Sequence, residues 1–281
     1  MKIKNILFIL LAIFFVAGIS KPFWPSSLPQ KKTISIQPIL ATETVETPAV
    51  KTPEPIVEKE ILLAKNIPAP KKEVAKIDVK PVSGDSWVQK EYDILKNKVQ
   101  GIDEKVLKLA LTAYHNARKN GYVDNQILTV IDYSKPSDQK RFSVIDMRNH
   151  HVLYNTHVSH GRNSGGLNST SFSNSPGSYK TSLGVFKTDA TYDGKNGYSL
   201  RLRGLDRGVN DNAYSRAIVV HGAAYANSQN VNKDRGLGRS LGCPTVASHL
   251  AKPIINAIKN GSIIFAYGND KSLLKKSTYL S

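Results

Sequence analysis

The stretch Ile218-Val219-Val220-His221-Gly222 places three β-branched residues before a histidine and a glycine. This pattern predicts a buried strand that ends in an exposed histidine. Twenty-two positions after His221 comes Cys243, within Gly238-Arg239-Ser240-Leu241-Gly242-Cys243-Pro244. A thiol is weakly nucleophilic until it loses its proton, and a neighbouring imidazole can take that proton and later return it to a leaving amine. The two stretches therefore predict Cys243 as a nucleophile and His221 as its general base and acid.

Gly242 and Pro244 fit this interpretation. Gly242 has no side chain to obstruct a substrate carbonyl that approaches the cysteine. The N–H groups of Gly242 and Cys243 are then candidate donors to a developing oxyanion. Pro244 stiffens the exit from the turn. The spacing alone is weak, because a single cysteine is more often an inert, buried small residue, and that alternative stays open.

The N-terminus predicts export. A short positive lead at residues 1–4 precedes an unbroken apolar run at residues 6–19. A run of this length suits a signal-peptide core and is short for a bilayer-spanning helix, which needs about 20 residues. We expect residues 1–20 to be a signal peptide or an uncleaved N-terminal anchor. The protein would then act in the periplasm or cell envelope, free or held at the inner membrane by residues 6–19. An exported chain with one cysteine cannot close an internal disulfide, so the thiol needs another reason to be there.

Proline and charge divide the rest of the chain. Ten of the 14 prolines lie between Pro22 and Pro81, so residues 21–82 are predicted to be a disordered Pro-rich linker. Residues 83–281 are predicted to form one catalytic domain.

The net charge is +17, and 27 Lys and Arg against 15 Asp and Glu after residue 82 leave about +12 there. This field favours an anionic partner, and export favours the carboxylates of the cell wall over nucleic acid.

Periodicity predicts a β-rich domain with peripheral helices. Apolar residues recur at helical spacing from Val106 to Ala117, with Asp103 as N-cap and Asn120-Gly121 as the stop. A second helix is predicted from Leu250 to Lys259, before Gly261. Strands are predicted at residues 127–133, 142–146, 151–158, 185–188, 199–203, 217–221 and 262–267.

Several motifs, in order, resemble one enzyme family. Ser240-x-Gly242-Cys243, after His221-Gly222, resembles the active-site signature of the YkuD-type L,D-transpeptidases, and Thr181-Ser182-Leu183-Gly184-Val185-Phe186 is similar to a strand of that family. Further stretches resemble its divergent branch, the murein L,D-transpeptidase catalytic domain family; they are Val158 to Arg162, Phe172 to Asn174, Gly204 to Ala213 and Gly238 to Pro244. Leu241, Pro244 and Ser182 depart from the main family, which puts its substrate geometry in doubt for this chain.

The resemblance implies a fold and a reaction. The fold would be mainly β (α+β), a YkuD-like β-sandwich catalytic domain with peripheral helices. Cys243 would attack the carbonyl of diaminopimelate in a peptidoglycan stem peptide, and an acceptor amine would resolve the thioester into a cross-link. The carbonyl of Gly222 would orient His221. No metal or other cofactor would take part. The alternatives are an L,D-carboxypeptidase that uses water as acceptor, an enzyme that attaches an envelope protein to the wall, and a non-catalytic peptidoglycan-binding module.

Other polar residues are candidates for substrate binding. Arg239 and Arg216 flank the cysteine and histidine segments, and arginine suits bidentate capture of a carboxylate. His160 could line the cleft or be satisfied by backbone groups, and Ser240 could polarise the site or bond within its own turn. Asp211 is a rival to the Gly222 carbonyl as the group that orients His221, with a turn residue as its other role. The scattered histidines and single cysteine do not have the spacing of a zinc site.

Overall fold

Strand-forming residues build a mixed sheet that organises the described part of the chain. The computed structural model describes residues 84–281. The signal or anchor segment predicted at residues 1–20 and the linker predicted at residues 21–82 lie outside the described residues and stay predictions.

Eight strands form the sheet within residues 84–281. Their order across the sheet is β3-β2-β1-β8-β4-β5-β6-β7. The pairs β1–β8 and β6–β7 are parallel, and the other neighbours are antiparallel. The strands are β1 (Ile127–Asp132), β2 (Phe142–Asp146), β3 (His151–Thr156), β4 (Gly184–Gly194), β5 (Gly197–Gly204), β6 (Val219–Ala223), β7 (Thr245–Ala247) and β8 (Ile263–Tyr267).

Four α-helices accompany the sheet in the same part of the chain. They are α1 (Gly84–Leu95), α2 (Glu104–Lys119), α3 (Ser248–Ile258) and α4 (Lys271–Lys276). The carboxylate of Asp103 accepts the N–H of Lys105 at 2.9 Å and so satisfies one free donor of the first turn of α2. None of the helices found between residues 84 and 281 has the length and apolarity that crossing a membrane requires.

The core lies where α2 packs against the central strands. Leu107, Ala110 and Leu111 of α2 are at most 2 % exposed, and every residue of β8 is buried. The 3.6-residue period of α2 brings its apolar side chains onto one side, which the helix buries against β1 and β8. Full burial of one large aliphatic or aromatic side chain contributes roughly 1.5–3 kcal/mol, so each such side chain in this layer stabilises the fold.

The strands β5, β6 and β7 present two different faces. Residues paired across a sheet point to the same face, and residues two apart on one strand do so as well. Leu200 pairs with Val220, and this face lies under α3, where a Cβ on Gly222 would come within 2.7 Å of Ala251. Arg201 pairs with Val219, so Arg201, Val219 and His221 share the opposite face. The predicted catalytic histidine therefore lies on the face away from α3.

The structure confirms the predicted fold class, mainly β with peripheral helices. It confirms the helix capped by Asp103 and each of the seven predicted strands, with shifted ends. One expectation about the site was wrong. The sequence predicts that His221 is exposed at the end of its strand, but His221 is only 4 % exposed and is the third of five residues in β6. The reason is that β7 pairs with β6 beside His221 and covers it. The helices α1 and α4 and the three-residue strand β7 were not predicted.

Candidate active site

The pairing of β6 with β7 brings the predicted nucleophile and base to the same place. His221 lies directly beside Thr245 in the parallel register of the two strands. Cys243 precedes Thr245 by two residues and leads into β7. Residues two apart in an extended chain project to the same side, so Cys243 enters on the face that carries His221. The structure thus brings together the two residues that the sequence separates by 22 positions.

The turn before Cys243 is held by its own serine. Ser240 Oγ accepts the N–H of Gly242 at 3.1 Å and donates to the carbonyl of Cys243 at 2.7 Å. The N–H of Ser240 in turn donates to the carbonyl of His160 at 3.0 Å. Ser240 is 4 % exposed, so its hydroxyl serves the turn. The contact with substrate predicted for Ser240 is not what this geometry favours.

Gly242 is required by the shape of the turn. Its φ is +124°, a conformation that residues with a side chain rarely adopt. A Cβ there would lie 2.8 Å from the carbonyl oxygen of Lys180 and 3.1 Å from Ile218 Cδ1. The side-chain position therefore points into packed protein, and the glycine is explained by packing as well as by the predicted approach of a substrate.

Only one of the two predicted oxyanion donors is unoccupied. The N–H of Gly242 donates to Ser240 Oγ, so it is not free to bind an oxyanion in this arrangement. The N–H of Cys243 has no hydrogen-bond partner among residues 84–281. The Cys243 amide is therefore the better placed donor for charge that develops on a substrate oxygen.

The sulfur of Cys243 is held as a neutral thiol. Its S–H donates to the carbonyl oxygen of Ala217, with the sulfur 3.7 Å from that oxygen. Burial of the sulfur raises the pKa of Cys243 above its ordinary value, although the Val219 N–H and the charge of Arg216 act in the opposite direction. A thiol with a raised pKa is protonated at neutral pH.

The imidazole of His221 is fixed at both nitrogens. Nδ1 lies 3.1 Å from the carbonyl oxygen of Gly222, and since a carbonyl can only accept, Nδ1 carries the proton. Nε2 is then the acceptor, and it receives the hydroxyl of Thr245 at 3.0 Å. Burial lowers the pKa of His221, while the bond to the Gly222 carbonyl opposes that shift. The ring is therefore neutral, with its basic nitrogen directed at Thr245.

Thr245 links His221 to a tyrosine and was missed in the sequence. Tyr225 Oη donates to Thr245 Oγ1 at 3.2 Å, which completes a chain from Tyr225 through Thr245 to His221. Within residues 84–281 no hydrogen bond joins Cys243 Sγ to His221. The signal that could have found Thr245 is the two-residue spacing after Cys243, which puts both side chains on one face of an extended segment.

The two arginines predicted to bind substrate carboxylates are used by the protein itself. Arg239 donates to the carbonyls of Gly165, Leu237 and Arg235 at 2.6–2.9 Å. Arg216 donates to a further set of acceptors, which comprises the carbonyls of Ser173 and Lys180 and the hydroxyls of Ser178 and Ser182. Both guanidinium groups therefore anchor loops around the site, and neither has the open fork that bidentate capture needs.

The side chains of His160 and Asp211 bond to other groups than Cys243 and His221. His160 is 1 % exposed, and its Nδ1 accepts from Arg141 Nη2 at 2.8 Å. Burial first, and then the charge of Arg141, lower the pKa of His160 to about 4. Asp211 Oδ1 accepts from Asn174 Nδ2 and the N–H of Gly208, as a turn residue does. The predicted substrate contact of His160 and the predicted partnership of Asp211 with His221 do not match these positions.

Residues 84–281 contain no group of three or more His, Cys, Asp or Glu side chains arranged to hold a metal ion. The chemistry that the described side chains can perform is proton transfer and covalent catalysis by the thiol. The Cys243 thiol lies next to a strand that carries a neutral imidazole, and the backbone N–H of Cys243 has no acceptor among residues 84–281.

Comparison with solved structures returns several L,D-transpeptidases at low identity. The enzyme from Mycobacterium smegmatis is 15% identical over 51% of this chain and 59% of its own, with a TM-score of 0.33. One from Mycobacterium tuberculosis H37Rv is 16% identical over 50% of this chain and 57% of its own, also with a TM-score of 0.33. One from Stackebrandtia nassauensis is 12% identical over 75% of this chain and 90% of its own, with a TM-score of 0.31.

This chain therefore spans less than two thirds of the two mycobacterial chains. No curated protein matches it. The comparison with family models is more direct. The model described as the L,D-transpeptidase catalytic domain matches residues 98–267, which is more than half of the 281-residue chain. On that match, the chain belongs to the family of L,D-transpeptidase catalytic domains.

Proposed function

We propose that the protein is an L,D-transpeptidase that cross-links peptidoglycan stem peptides through a thioester on Cys243. The observation that carries the proposal is the β6–β7 register, which sets His221 beside Thr245 and so brings Cys243 to the face of the imidazole. Family membership supports the reaction class.

The first half of the reaction forms the acyl-enzyme. The S–H proton moves to Nε2 of His221, which must first exchange its hydrogen bond from Thr245 for one from the thiol. The thiolate then forms a bond to the carbonyl carbon of diaminopimelate, and the carbonyl electron pair moves onto oxygen. The Cys243 N–H is the candidate donor to that oxyanion. As the oxyanion collapses, the C–N bond breaks, and His221 gives its proton to the departing D-amino acid.

The second half repeats these steps with another nucleophile. An acceptor amine attacks the thioester, His221 takes a proton from that amine, and Cys243 leaves as thiolate before it is protonated again. Attack by water would instead release a shortened stem, which is the carboxypeptidase alternative. Arg216 and the Val219 N–H both favour the charged sulfur, so they stabilise each thiolate state.

Export is part of the proposal. The reaction needs the cell wall, and the apolar run at residues 6–19 would deliver the domain to the envelope as a signal peptide or as an anchor. The basic excess suits an anionic polymer there. Fractionation of cells into cytoplasm, membrane and periplasm tests this step, and protein found only in the cytoplasm would contradict it.

Intact-mass measurement tests the nucleophile. The full chain is incubated with a carbapenem, and we expect one adduct on the wild type and none on Cys243→Ala. His221→Asn should form the adduct about 10²–10⁴ times more slowly, since general acid–base catalysis contributes that factor. Unmodified wild type, or an adduct that persists in Cys243→Ala, would refute the mechanism. Purified muropeptides then separate the two acceptors, because dimers indicate transfer and shortened monomers indicate hydrolysis.

A further inference from the structure

One charged side chain near the candidate active site has no polar partner. Arg201 of β5 is half-buried, yet its guanidinium makes no hydrogen bond or ion pair with any of residues 84–281. It lies against two aromatic rings instead. Its Cζ is 4.4 Å from the ring centre of Tyr192 and 5.6 Å from that of Tyr214. A half-buried guanidinium whose five N–H donors have no acceptor among residues 84–281 can bind an anion from outside the chain.

The neighbouring arginines show how unusual this is. Arg216 and Arg239 direct their donors at carbonyl and hydroxyl oxygens of the protein. Arg203, two residues along β5 on the same face, stacks on Tyr214 and forms an ion pair with Asp189 at 2.7 Å. Of these four arginines, Arg201 alone has no acceptor among the described residues.

The position of Arg201 ties it to the reacting groups. In the β5–β6 register Arg201 lies directly opposite Val219, whose N–H reaches the sulfur of Cys243. Neighbouring strands are about 4.8 Å apart, so the backbone of Arg201 lies one strand away from Val219, which contacts the sulfur of Cys243. Arg201 and His221 also share a face of the sheet.

We propose that Arg201 binds a free carboxylate of the stem peptide while another part of that peptide occupies Cys243. The proposal rests on the proposed function, because it concerns the substrate of the same site. A guanidinium stacked on aromatic rings is held flat, and a flat fork matches the two oxygens of a carboxylate. Tyr214 is 44% exposed, so the stack is open on its outer side.

Binding to an inactive protein tests this without relying on catalysis. The full chain with Cys243→Ala is titrated with a synthetic stem tetrapeptide that ends in diaminopimelate-D-alanine. The same peptide with its carboxylates converted to amides is titrated in parallel. Arg201→Gln is added to Cys243→Ala, and Arg148→Gln is the matched control, because Arg148 is an exposed arginine in the β2–β3 turn and its loss removes the same charge.

We expect Arg201→Gln to weaken the Kd of the acid peptide about tenfold and to leave the amide peptide unchanged, since a bidentate charged bond is lost. Arg148→Gln should leave both values unchanged. Equal effects of the two substitutions would overturn the proposal, as would an equal loss of affinity for both peptides, which indicates a structural role. A Cys243→Ala protein that does not bind the acid peptide overturns it as well.

A second variant covers the case in which Arg201→Gln does not fold. Arg201→Lys keeps the charge but loses the planar fork and its stacking on the rings, so we expect it to weaken binding of the acid peptide about threefold. A Kd equal to that of the parent would contradict the proposal. The carbapenem adduct at Cys243 distinguishes a failure of the carboxylate site from a failure of the proposed function. An adduct with no effect of Arg201 refutes only the carboxylate site, while a missing adduct refutes the proposed function.

Discussion

Replacement of Gly242 by alanine tests whether the turn before Cys243 is as tightly built as its contacts indicate. The backbone φ of +124° is unfavourable for alanine, which costs about 1–3 kcal/mol. The new Cβ would also lie 2.8 Å from the carbonyl oxygen of Lys180. That oxygen cannot shift freely, because Arg216 Nη2 donates to it at 2.8 Å. Overpacking of this kind adds about 1–3 kcal/mol.

The two costs add up to about 2–6 kcal/mol, so the expected loss for Gly242→Ala is about 4 kcal/mol in the free energy of unfolding. For a domain of 150–250 residues each kcal/mol lowers Tm by about 2–4 °C, so Tm should fall by about 8–16 °C. Gly208→Ala is the matched control, because its φ is +72° but nothing lies within 4 Å of the added Cβ. It should cost only about 1 kcal/mol, the backbone part alone.

Thermal unfolding measures the two variants, and alkylation by iodoacetamide reports on the sulfur. Cys243 is the only cysteine, so the alkylation rate belongs to one residue. Displacement of the turn in Gly242→Ala should change that rate, while Gly208→Ala should match the wild type. Equal Tm values for the two variants would refute the reasoning, because the contact with Lys180 would then have no energetic effect.

Three further measurements follow from the buried groups. Burial raises the pKa of Cys243 above its ordinary 9.0, so the alkylation rate should climb only above about pH 9; a plateau near neutral pH would contradict a neutral resting thiol. The pKa of His160 is lowered from 6.5 to about 4, so the unfolded chain binds an extra proton between these values. Stability should therefore fall as pH drops through that window, and His160→Gln should reduce the fall in urea unfolding; an unchanged pH profile would speak against this account. Tyr133 Oη is buried without a partner among residues 84–281, so Tyr133→Phe should raise Tm by a few degrees, and a lower Tm would show that the hydroxyl is satisfied.

Local patterns in the sequence were sufficient for most of the fold. The Asp103 cap and the apolar spacing of α2 depend on neighbours within four residues, and the β-branched runs of β1 and β6 are equally local. The helix α1 was missed although its residues form three turns. The strand β7 is three residues long, too short to give a period, and it exists because β6 lies beside it.

The site was predicted where it depends on residue type and missed where it depends on distant contacts. The approach of Cys243 to His221 was expected from the motifs, but the bond from Thr245 to His221 needs the strand register. Arginine between a cysteine and a histidine suggests substrate binding. In the folded chain the guanidinium of Arg239 donates instead to three carbonyls from two separate segments, which the sequence alone does not show. Arg201 belongs to none of the motifs in the sequence, so the sequence does not single it out.

The neutral state of Cys243 also affects how readily its thiol is oxidised. Thiolates attack peroxides and small disulfides, whereas a protonated thiol reacts with them slowly. Its bond to the Ala217 carbonyl and the burial of its sulfur keep Cys243 in that unreactive form. Meanwhile Thr245 occupies the nitrogen that would otherwise take the proton. The same arrangement would delay the proposed reaction of Cys243 with a substrate and would protect the unpaired thiol from oxidants. A ligand that displaces Thr245 from His221 would remove both effects together.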